Sequence, residues 1–166
     1  MNKSATAVKK RATPNDVFIT PPDLAKLHIE RVEANTSRQG DQKKLWDYWY
    51  DPFCGTGNYY NNFNVLNKDK AEITDGRDFF TYIPAEQYAY AGPQSQITHI
   101  VSNPPWSCLD KVLEKSVELN PSVISYLIGI NNLTCRRMEY MEKNGYYITD
   151  FFLTKVWRWF GMSCIV

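Results

Sequence analysis

The chain has 166 residues, of which 43% are hydrophobic and 22% are charged, and its formal net charge is +1. This composition is typical of a single globular domain with one core, and the near-neutral charge excludes a uniformly basic nucleic-acid binder. We expect no membrane partner, because no stretch approaches the roughly 18 consecutive apolar residues of a membrane-spanning helix and no signal-peptide pattern is present.

The N-terminal residues 1–16 form a basic segment, in which four cations precede the first acidic residue: Lys3, Lys9, Lys10 and Arg11. A segment of this kind can contact phosphates. It also has few apolar residues, and such termini are usually disordered and solvated. We therefore predict a disordered basic tail over residues 1–16 and one folded domain over residues 17–166.

The remainder of the chain alternates between predicted helices and strands. The first helix is predicted over residues 23–34, where Pro21 and Pro22 precede a run whose apolar residues lie roughly on one face. The later elements are, in chain order, a strand over 45–50, a helix over 58–66, strands over 71–74 and 97–102, a helix over 109–119, a strand over 123–128, a helix over 134–143 that Gly145 ends, and strands over 146–153 and 162–166. Residues 36–44 and 82–96 are expected to be irregular. This alternation predicts an α/β fold with a mostly parallel, doubly wound sheet, in which ligands bind beyond the carboxyl ends of the strands.

Four cysteines are scattered singly along the chain: Cys54, Cys108, Cys135 and Cys164. No two of them form a C-x-x-C pair, so their spacing favours neither a zinc site nor a disulfide framework. We therefore expect no metal site and a reducing compartment, the cytoplasm or the nucleus.

A glycine-containing loop follows the strand predicted over residues 45–50 and has the sequence Asp51-Pro52-Phe53-Cys54-Gly55-Thr56-Gly57. Gly55 and Gly57 can adopt positive φ and let the backbone approach a ligand closely. Asp51, at the strand end, can accept a hydrogen bond from an ammonium group. Tyr60 stands where a dinucleotide fingerprint has its third glycine, and no Gly-Lys-Ser/Thr follows, so NAD and P-loop nucleotide sites are disfavoured. Taken alone, the loop also fits an ordinary tight strand-to-helix turn.

A second motif, Asn103-Pro104-Pro105-Trp106, follows the strand predicted over residues 97–102. Two consecutive prolines remove two backbone donors and fix φ twice, which makes a stiff corner. An exocyclic amine on a flat ring is a poor nucleophile because its lone pair is delocalised into the ring. If the Asn103 side-chain oxygen and the Pro104 carbonyl each accept one amine hydrogen, the lone pair becomes available for attack. Trp106 would stack on the ring, worth about 1–3 kcal/mol, although a structural turn with a core tryptophan is the alternative.

The two motifs, in this order and at strand ends, resemble those of amino-methyltransferases that use S-adenosylmethionine. They are most similar to the group that methylates adenine N6 or cytosine N4 in DNA. A third segment, Phe18-Ile19-Thr20-Pro21-Pro22-Asp23-Leu24-Ala25, is similar to the F-x-T-P-x-x-L-A segment of that group. The resemblance covers residues 17–166. It implies a Rossmann-like methyltransferase fold with an antiparallel last strand, S-adenosyl-L-methionine as cofactor, and a nucleic-acid partner, DNA rather than RNA, with adenine N6 preferred.

The resemblance also implies site residues. Three would be catalytic, namely Asn103, Pro104 and Trp106, and the cofactor would be bound by Phe18, Thr20, Pro21, Asp51, Pro52, Phe53, Gly55, Gly57, Glu72, Asp78, Phe79 and Asn103. Glu72 and Asp78 are the candidates for holding the ribose hydroxyls and for reading the cofactor's adenine, and the assignment between them stays open. Phe79 or Phe80 would pack on the adenine ring, although a core role fits equally well.

The chain departs from the larger members of that group in two respects. Glu72 and Asp78 are too close together for the usual intervening helix and third strand, and only about twenty residues separate Phe80 from the strand before Asn103. That spacing is too short for a target-recognition domain. We therefore expect specificity to come from loops or from a separate partner, unless the chain is a fragment. The apolar end at Ile165-Val166 favours a truncated or minimal catalytic core.

Two other functions remain open. Methyltransferases of glutamine side chains in release factors also carry an Asn-Pro-Pro-aromatic turn, and a minimal core could instead be an inactive subunit that binds a protein or a nucleic acid. The cluster Trp157-Arg158-Trp159-Phe160 suits stacking on unpaired bases, but it also fits a hairpin loop folded onto the sheet. Asn131 and Asn132 follow another strand end and are weaker candidates for the cofactor's vicinity. His28 and His99 have no carboxylate at a meaningful spacing, and we assign them no role.

Overall fold

The computed structural model describes residues 18–36, 47–81, 97–156 and 162–166. The helices and strands of these residues are, in chain order, α1 (Pro22–Thr36), β1 (Tyr48–Asp51), β2 (Asn67–Lys70), β3 (His99–Ser102), α2 (Leu109–Glu118), β4 (Val123–Gly129), α3 (Cys135–Lys143), β5 (Phe152–Thr154) and β6 (Ser163–Ile165). No helix within these ranges is both long and apolar enough to cross a bilayer. The predicted basic tail, the segments 37–46 and 82–96, and the aromatic cluster at 157–160 lie outside the described residues.

The six strands form one sheet in the order β2-β1-β3-β4-β6-β5. β1 pairs in parallel with β2 and with β3, and β3 pairs in parallel with β4. β6 is antiparallel to both β4 and β5. The predicted mostly parallel sheet with an antiparallel last strand is therefore confirmed.

Successive side chains along a strand point to opposite sides of the sheet. Both sides of this sheet are apolar, and a helix packs on each of them. On one face, strand residues and residues of α2 form a hydrophobic cluster: Tyr48, Tyr50, Ile100, Leu109 and Val112. On the other face, strand residues and residues of α1 form a second cluster: Ala25, Ile29, Val32, Trp49 and Val101. The core thus has two apolar layers, one on each side of the sheet, and the doubly wound arrangement is confirmed.

Most of the predicted elements are confirmed with shifts of a few residues at their ends. These are the helices over 23–34, 109–119 and 134–143 and the strands over 45–50, 97–102, 123–128 and 162–166. The hydroxyl of Thr134 caps the start of α3 by accepting from the Arg137 N–H at 3.4 Å. Gly145, with φ of 86°, ends that helix as expected.

The prediction of a helix over residues 58–66 is wrong, since this segment contains only a 3₁₀ turn at Tyr60–Asn62. Asparagine is a weak helix former because its side chain competes for backbone groups. That competition is visible here, where the Asn62 amide donates to the Asn58 carbonyl at 2.8 Å. The Lys68 ammonium then donates to two carbonyls of the same segment, Tyr60 and Phe63, each at 3.1 Å.

Two predicted strands also need correction. The strand expected over 71–74 lies instead at Asn67–Lys70. Its sequence Asn-Lys-Asp-Lys is polar, so no hydrophobic pattern in the sequence predicts it. Pairing with β1 identifies it, and its Asp69 accepts hydrogen bonds from Tyr48 at 3.3 Å and Arg77 at 3.0 Å. The strand expected over 146–153 shrinks to Phe152–Thr154. The preceding residues are held by side chains, including the Tyr146 hydroxyl, which donates to the Pro121 carbonyl at 2.7 Å.

A buried histidine connects α1 to the rest of the fold. His28 is fully buried, with Nδ1 2.9 Å from the Tyr59 hydroxyl and Nε2 2.8 Å from the Ser125 hydroxyl. Burial lowers the pKa of His28 to about 3, although the charge of Asp150 opposes the shift. The neutral ring therefore ties α1 to β4 and to Tyr59, which follows the glycine loop.

Candidate active site

The glycine loop follows β1 and closes against the end of β2. The Cys54 N–H donates to the Ala71 carbonyl at 3.0 Å, and the Gly57 N–H donates to the Cys54 carbonyl at 2.8 Å. Gly57 has φ of +86°, and a Cβ there would lie 2.8 Å from the Asn61 side chain. Gly55 has φ of +50° with open space beside it, so a ligand can approach its backbone.

Asp51 ends β1 with a fully buried carboxyl group. Its Oδ1 accepts a hydrogen bond of 2.6 Å from the Ser102 hydroxyl at the end of β3. Within the described ranges no donor of standard geometry reaches Oδ2, although the backbone N–H groups of Phe53 and Tyr60 favour the charged form. Burial is the larger influence and raises the pKa of Asp51 to about 7. A cationic ligand group would find an acceptor at Oδ2.

The other acidic candidates, Glu72 and Asp78, follow β2. Glu72 accepts from the Gly55 N–H at 2.7 Å and from the Thr74 N–H at 3.2 Å, so it braces the glycine loop. Asp78 accepts from the Phe80 N–H at 3.0 Å. Glu72 thus contacts the loop directly, which favours it as an acid near a ligand held there.

The aromatic candidates after β2 belong largely to the core. Phe79 is 2% exposed, with its ring 5.1 Å from that of Phe53 and 6.1 Å from that of Tyr50. Phe80 is only partly buried. The burial of Phe79 favours the core role that the sequence left open, and Phe80 is better exposed to a ligand. Pro52 is likewise buried in the interior.

The Asn103-Pro104-Pro105-Trp106 turn follows β3 on the same edge of the sheet. The Asn103 Nδ2 donates to the Phe18 carbonyl at 2.8 Å. Its Oδ1 is buried and accepts from no donor among the residues that the structure describes. Pro104 is buried, and the Pro105 carbonyl accepts from the Cys108 N–H at 3.4 Å. A buried acceptor without a donor is costly, and a substrate N–H would satisfy it.

Trp106 is packed against Phe18 and against Gly129 at the end of β4. Its ring stacks on the Phe18 ring with centroids 4.8 Å apart and planes 23° apart. A Cβ on Gly129 would lie 3.0 Å from the Trp106 ring and 3.3 Å from the Asn132 amide, so a larger residue there would force these groups to shift by a few tenths of an ångström. Phe18 therefore contacts the turn twice, with its ring on Trp106 and with its backbone carbonyl on the Asn103 amide.

The segment from Phe18 to Pro21 connects the other two motifs. Thr20 is buried, and its carbonyl accepts from the Asn58 side chain at 2.7 Å, next to the glycine loop. The Pro21 carbonyl accepts the first hydrogen bond of α1, from the Ala25 N–H at 3.0 Å. Together with the bond between Phe18 and Asn103, these contacts bring the three sequence motifs to one edge of the sheet.

Three residues that the sequence analysis did not select contribute to this site. Ser102 donates to Asp51, Asn58 anchors the Thr20 carbonyl, and Gly129 gives room to Trp106. Ser102 and Gly129 each stand at the carboxyl end of a parallel strand, which is the one signal that could have found them. No sequence signal marks Asn58, because its partner lies 38 positions away in the chain.

Comparisons with known proteins bear on the fold. No family model matches the chain, and no curated protein does. Among solved structures, one titled "Human methyltransferase 10 domain containing protein" is 17% identical, with a TM-score of 0.56 over 89% of this chain and 81% of that one. Another, titled "delta-N METTL16 MTase domain", is 13% identical, with a TM-score of 0.49 over 89% of this chain and 83% of that one. Identities this low show likeness of fold alone. The first of these structures and the sheet order above show that the chain has the Rossmann-like methyltransferase fold.

Proposed function

We propose that this protein transfers a methyl group from S-adenosylmethionine to the exocyclic amine of a nucleic-acid base, with adenine N6 in DNA as the preferred target. The observation that carries the proposal is the Asn103 side chain, whose buried Oδ1 has no donor among the described residues while its Nδ2 donates to the Phe18 carbonyl. An acceptor left in this way at the carboxyl end of β3 suits a substrate N–H group.

The cofactor's chemistry suits the residues beside this turn. Bound S-adenosylmethionine would supply an electrophilic methyl group on a sulfonium. Asp51 Oδ2, buried and without a donor of standard geometry, would accept from the ammonium group, and the open space at Gly55 would admit the backbone of a ligand. Glu72 lies against the same loop and would hold the ribose hydroxyls.

The chemical step depends on the two oxygens of the turn. Asn103 Oδ1 and the Pro104 carbonyl would each accept one amine hydrogen, which draws the nitrogen lone pair out of conjugation with the ring. Asparagine cannot take a proton, so the lowering of the barrier comes from positioning and from these two acceptors. The nitrogen–methyl bond would form as the sulfonium–methyl bond breaks and leaves its electron pair on sulfur, and the amine proton would then be released to water.

The two aromatic rings favour a flat substrate over a flexible carboxamide. The Phe18 and Trp106 rings stack on each other, and Trp106 belongs to the same turn as Asn103. A base that stacked on this aromatic pair would gain about 1–3 kcal/mol. A base inside a duplex must first be flipped out, at a cost of a few kcal/mol. Selection of the target sequence would come from loops or from a separate partner.

The experiment has two stages, a calorimetric titration with S-adenosylmethionine and a transfer assay with its labelled methyl group. Three acceptors are offered: random single-stranded oligonucleotides without adenine, the same without cytosine, and a Gly-Gly-Gln peptide. We expect cofactor binding and label in the oligonucleotides without cytosine, but none in those without adenine. Label only in the peptide would establish the glutamine alternative. Absence of cofactor binding would indicate an inactive binding subunit.

A further inference from the structure

We propose that the backbone carbonyl of Phe18 is a positioning group that fixes the orientation of the Asn103 amide, so that this side chain presents only its oxygen to the substrate. The inference rests on the proposed function and deepens it. It assigns to the N-terminal Phe-x-Thr-Pro segment a part in the chemical step in addition to cofactor binding.

The need for such a group follows from the chemistry of asparagine. A carboxamide has an acceptor oxygen on one side and a donor NH2 on the other, and the two orientations are nearly equal in shape. If the amide turned over, an NH2 group would face the substrate amine, and donor would meet donor. The Phe18 carbonyl can only accept, and it lies 2.8 Å from Nδ2. The opposite orientation would set two oxygens against each other at that distance.

The other end of the amide is consistent with this orientation. Asn103 Oδ1 is buried, and none of the described residues donates to it. A structural asparagine would use both ends of its amide, because an unsatisfied buried acceptor costs free energy. Here one end is held by the protein and the other is left for a ligand.

The Phe18 carbonyl is itself held in place. Two residues further along, the Thr20 carbonyl accepts from Asn58 at 2.7 Å, and the Phe18 ring stacks on Trp106 with centroids 4.8 Å apart. The short segment is thus pinned by two asparagine amides and one aromatic stack. It cannot swing away from Asn103 without losing these contacts.

The first test replaces Asn103 with aspartate and follows kcat from pH 5 to 9. An ionised carboxylate has no donor for the Phe18 carbonyl, whereas the protonated acid donates to it and keeps one oxygen as acceptor. At pH values above the pKa of the new acid, we expect the ratio of variant to wild-type kcat to rise about tenfold each time the pH is lowered by one unit. The ratio is the readout because Asp51, linked through Ser102, titrates in both proteins.

The matched control is Asn144→Asp, since Asn144 also donates its side-chain amide to a carbonyl, that of Tyr140 at 2.8 Å, at the exposed end of α3. This variant should keep the wild-type profile. A flat ratio for Asn103→Asp, whether the variant is active or inactive throughout, would overturn the proposal.

The second test weakens the carbonyl itself. Replacing Ile19 with its α-hydroxy analogue turns the Phe18 carbonyl into an ester, which is a weaker acceptor. The same change at Met141 is the control, because it weakens the Tyr140 carbonyl, which accepts from the Asn144 side chain. We expect the ester at residue 19, but not the one at 141, to lower kcat about fivefold and to speed solvent exchange of the Asn103 NH2 protons in NMR spectra. The exchange readout needs no activity. If wild type transfers no methyl group, the proposed function fails while the orientation is still tested, and equal exchange in both esters refutes the orientation.

Discussion

Asn103 and Asp51 share one feature, a buried oxygen to which no donor of standard geometry comes from the described residues. Their other polar atoms are satisfied, by the Phe18 carbonyl at 2.8 Å and by the Ser102 hydroxyl at 2.6 Å. Buried acceptors are seldom left without a hydrogen-bond donor, and donor groups of a ligand would satisfy both oxygens. Asp51 ends β1, and Asn103 directly follows the neighbouring parallel strand β3. A donor for one and a donor for the other can therefore belong to ligands in adjacent subsites.

Replacing Asn103 with alanine tests the catalytic role. The variant should lower methyl transfer by more than about 100-fold, because one of two acceptors for the reacting amine is lost. Its affinity for S-adenosylmethionine should stay within about twofold, since Asp51 and the glycine loop are untouched. Single-turnover assays and calorimetry measure the two quantities. Asn144→Ala serves as the control, and normal turnover in Asn103→Ala would refute the mechanism.

Gly129 is predicted to control the position of Trp106. A Cβ at residue 129 would lie 3.0 Å from the Trp106 ring, so Gly129→Ala should displace the ring and raise KM for the nucleic-acid substrate several-fold. The atoms concerned belong to the six-membered ring of the indole, which Trp106→Phe removes. In that background Gly129→Ala should have little further effect, as a double-mutant cycle of KM values can measure. Additive effects would contradict this coupling.

At the scale of elements, the predictions are correct where the apolar pattern is strong and where prolines, a capping threonine or a glycine mark the ends of a helix. Helix α1 begins at the second of two prolines, α3 lies between Thr134 and Gly145, and β3 and β4 are apolar runs. The failures lie in residues 58–74 and 146–153. In the first range asparagines replaced the expected helix by a short turn and the charged strand β2 has no apolar pattern, and in the second the expected strand is only three residues long. Pairing with β1 creates β2, and no local signal predicts such pairing.

The link between α1 and the residues before β5 is predicted to stabilise the fold. Arg31 donates to both carboxylate oxygens of Asp150, at 3.0 and 2.6 Å, and its guanidinium lies 4.5 Å above the Phe152 ring. Asp150→Asn should lower the free energy of unfolding by about 1 kcal/mol in urea titrations, with a smaller loss in high salt. The pair of Lys115 and Glu118, in which the Glu118 side chain is 68% exposed, is the control, and Glu118→Gln should cost less than about 0.5 kcal/mol. Equal losses would show that the Arg31 contact has no special weight.

At the scale of the whole molecule, two buried titratable groups act in opposite directions. The pKa of Asp51 is raised from 3.8 to about 7, so the folded state keeps a proton that the unfolded chain releases. The pKa of His28 is lowered from 6.5 to about 3, so the unfolded chain keeps a proton that the folded state lacks. As pH rises, the titration of Asp51 therefore lowers the free energy of unfolding, and the titration of His28 raises it. Between about pH 4 and 6.5 the two contributions oppose each other and largely cancel.

Single substitutions should expose each contribution in urea titrations at a series of pH values. Relative to wild type, Asp51→Asn should gain stability as pH rises from about 4 to 7, and His28→Gln should lose it from about 3 to 6.5. Each difference should change by about 1 kcal/mol per pH unit, because one proton is bound or released. Differences that do not vary with pH would mean that neither residue titrates as its burial implies.

From the sequence alone came the order of motifs, the chemistry of a diproline corner and the alternation that specifies a doubly wound sheet. These are local properties, since proline restricts φ wherever it stands and apolar periodicity reflects the burial of a helix or strand face. The tertiary structure alone decided that Phe18 meets Asn103 across 85 positions, that Asn58 holds Thr20, and that Gly129 admits the Trp106 ring. Such contacts depend on the packing of distant segments at one edge of the sheet, and that packing follows from strand order and register, which no local pattern encodes.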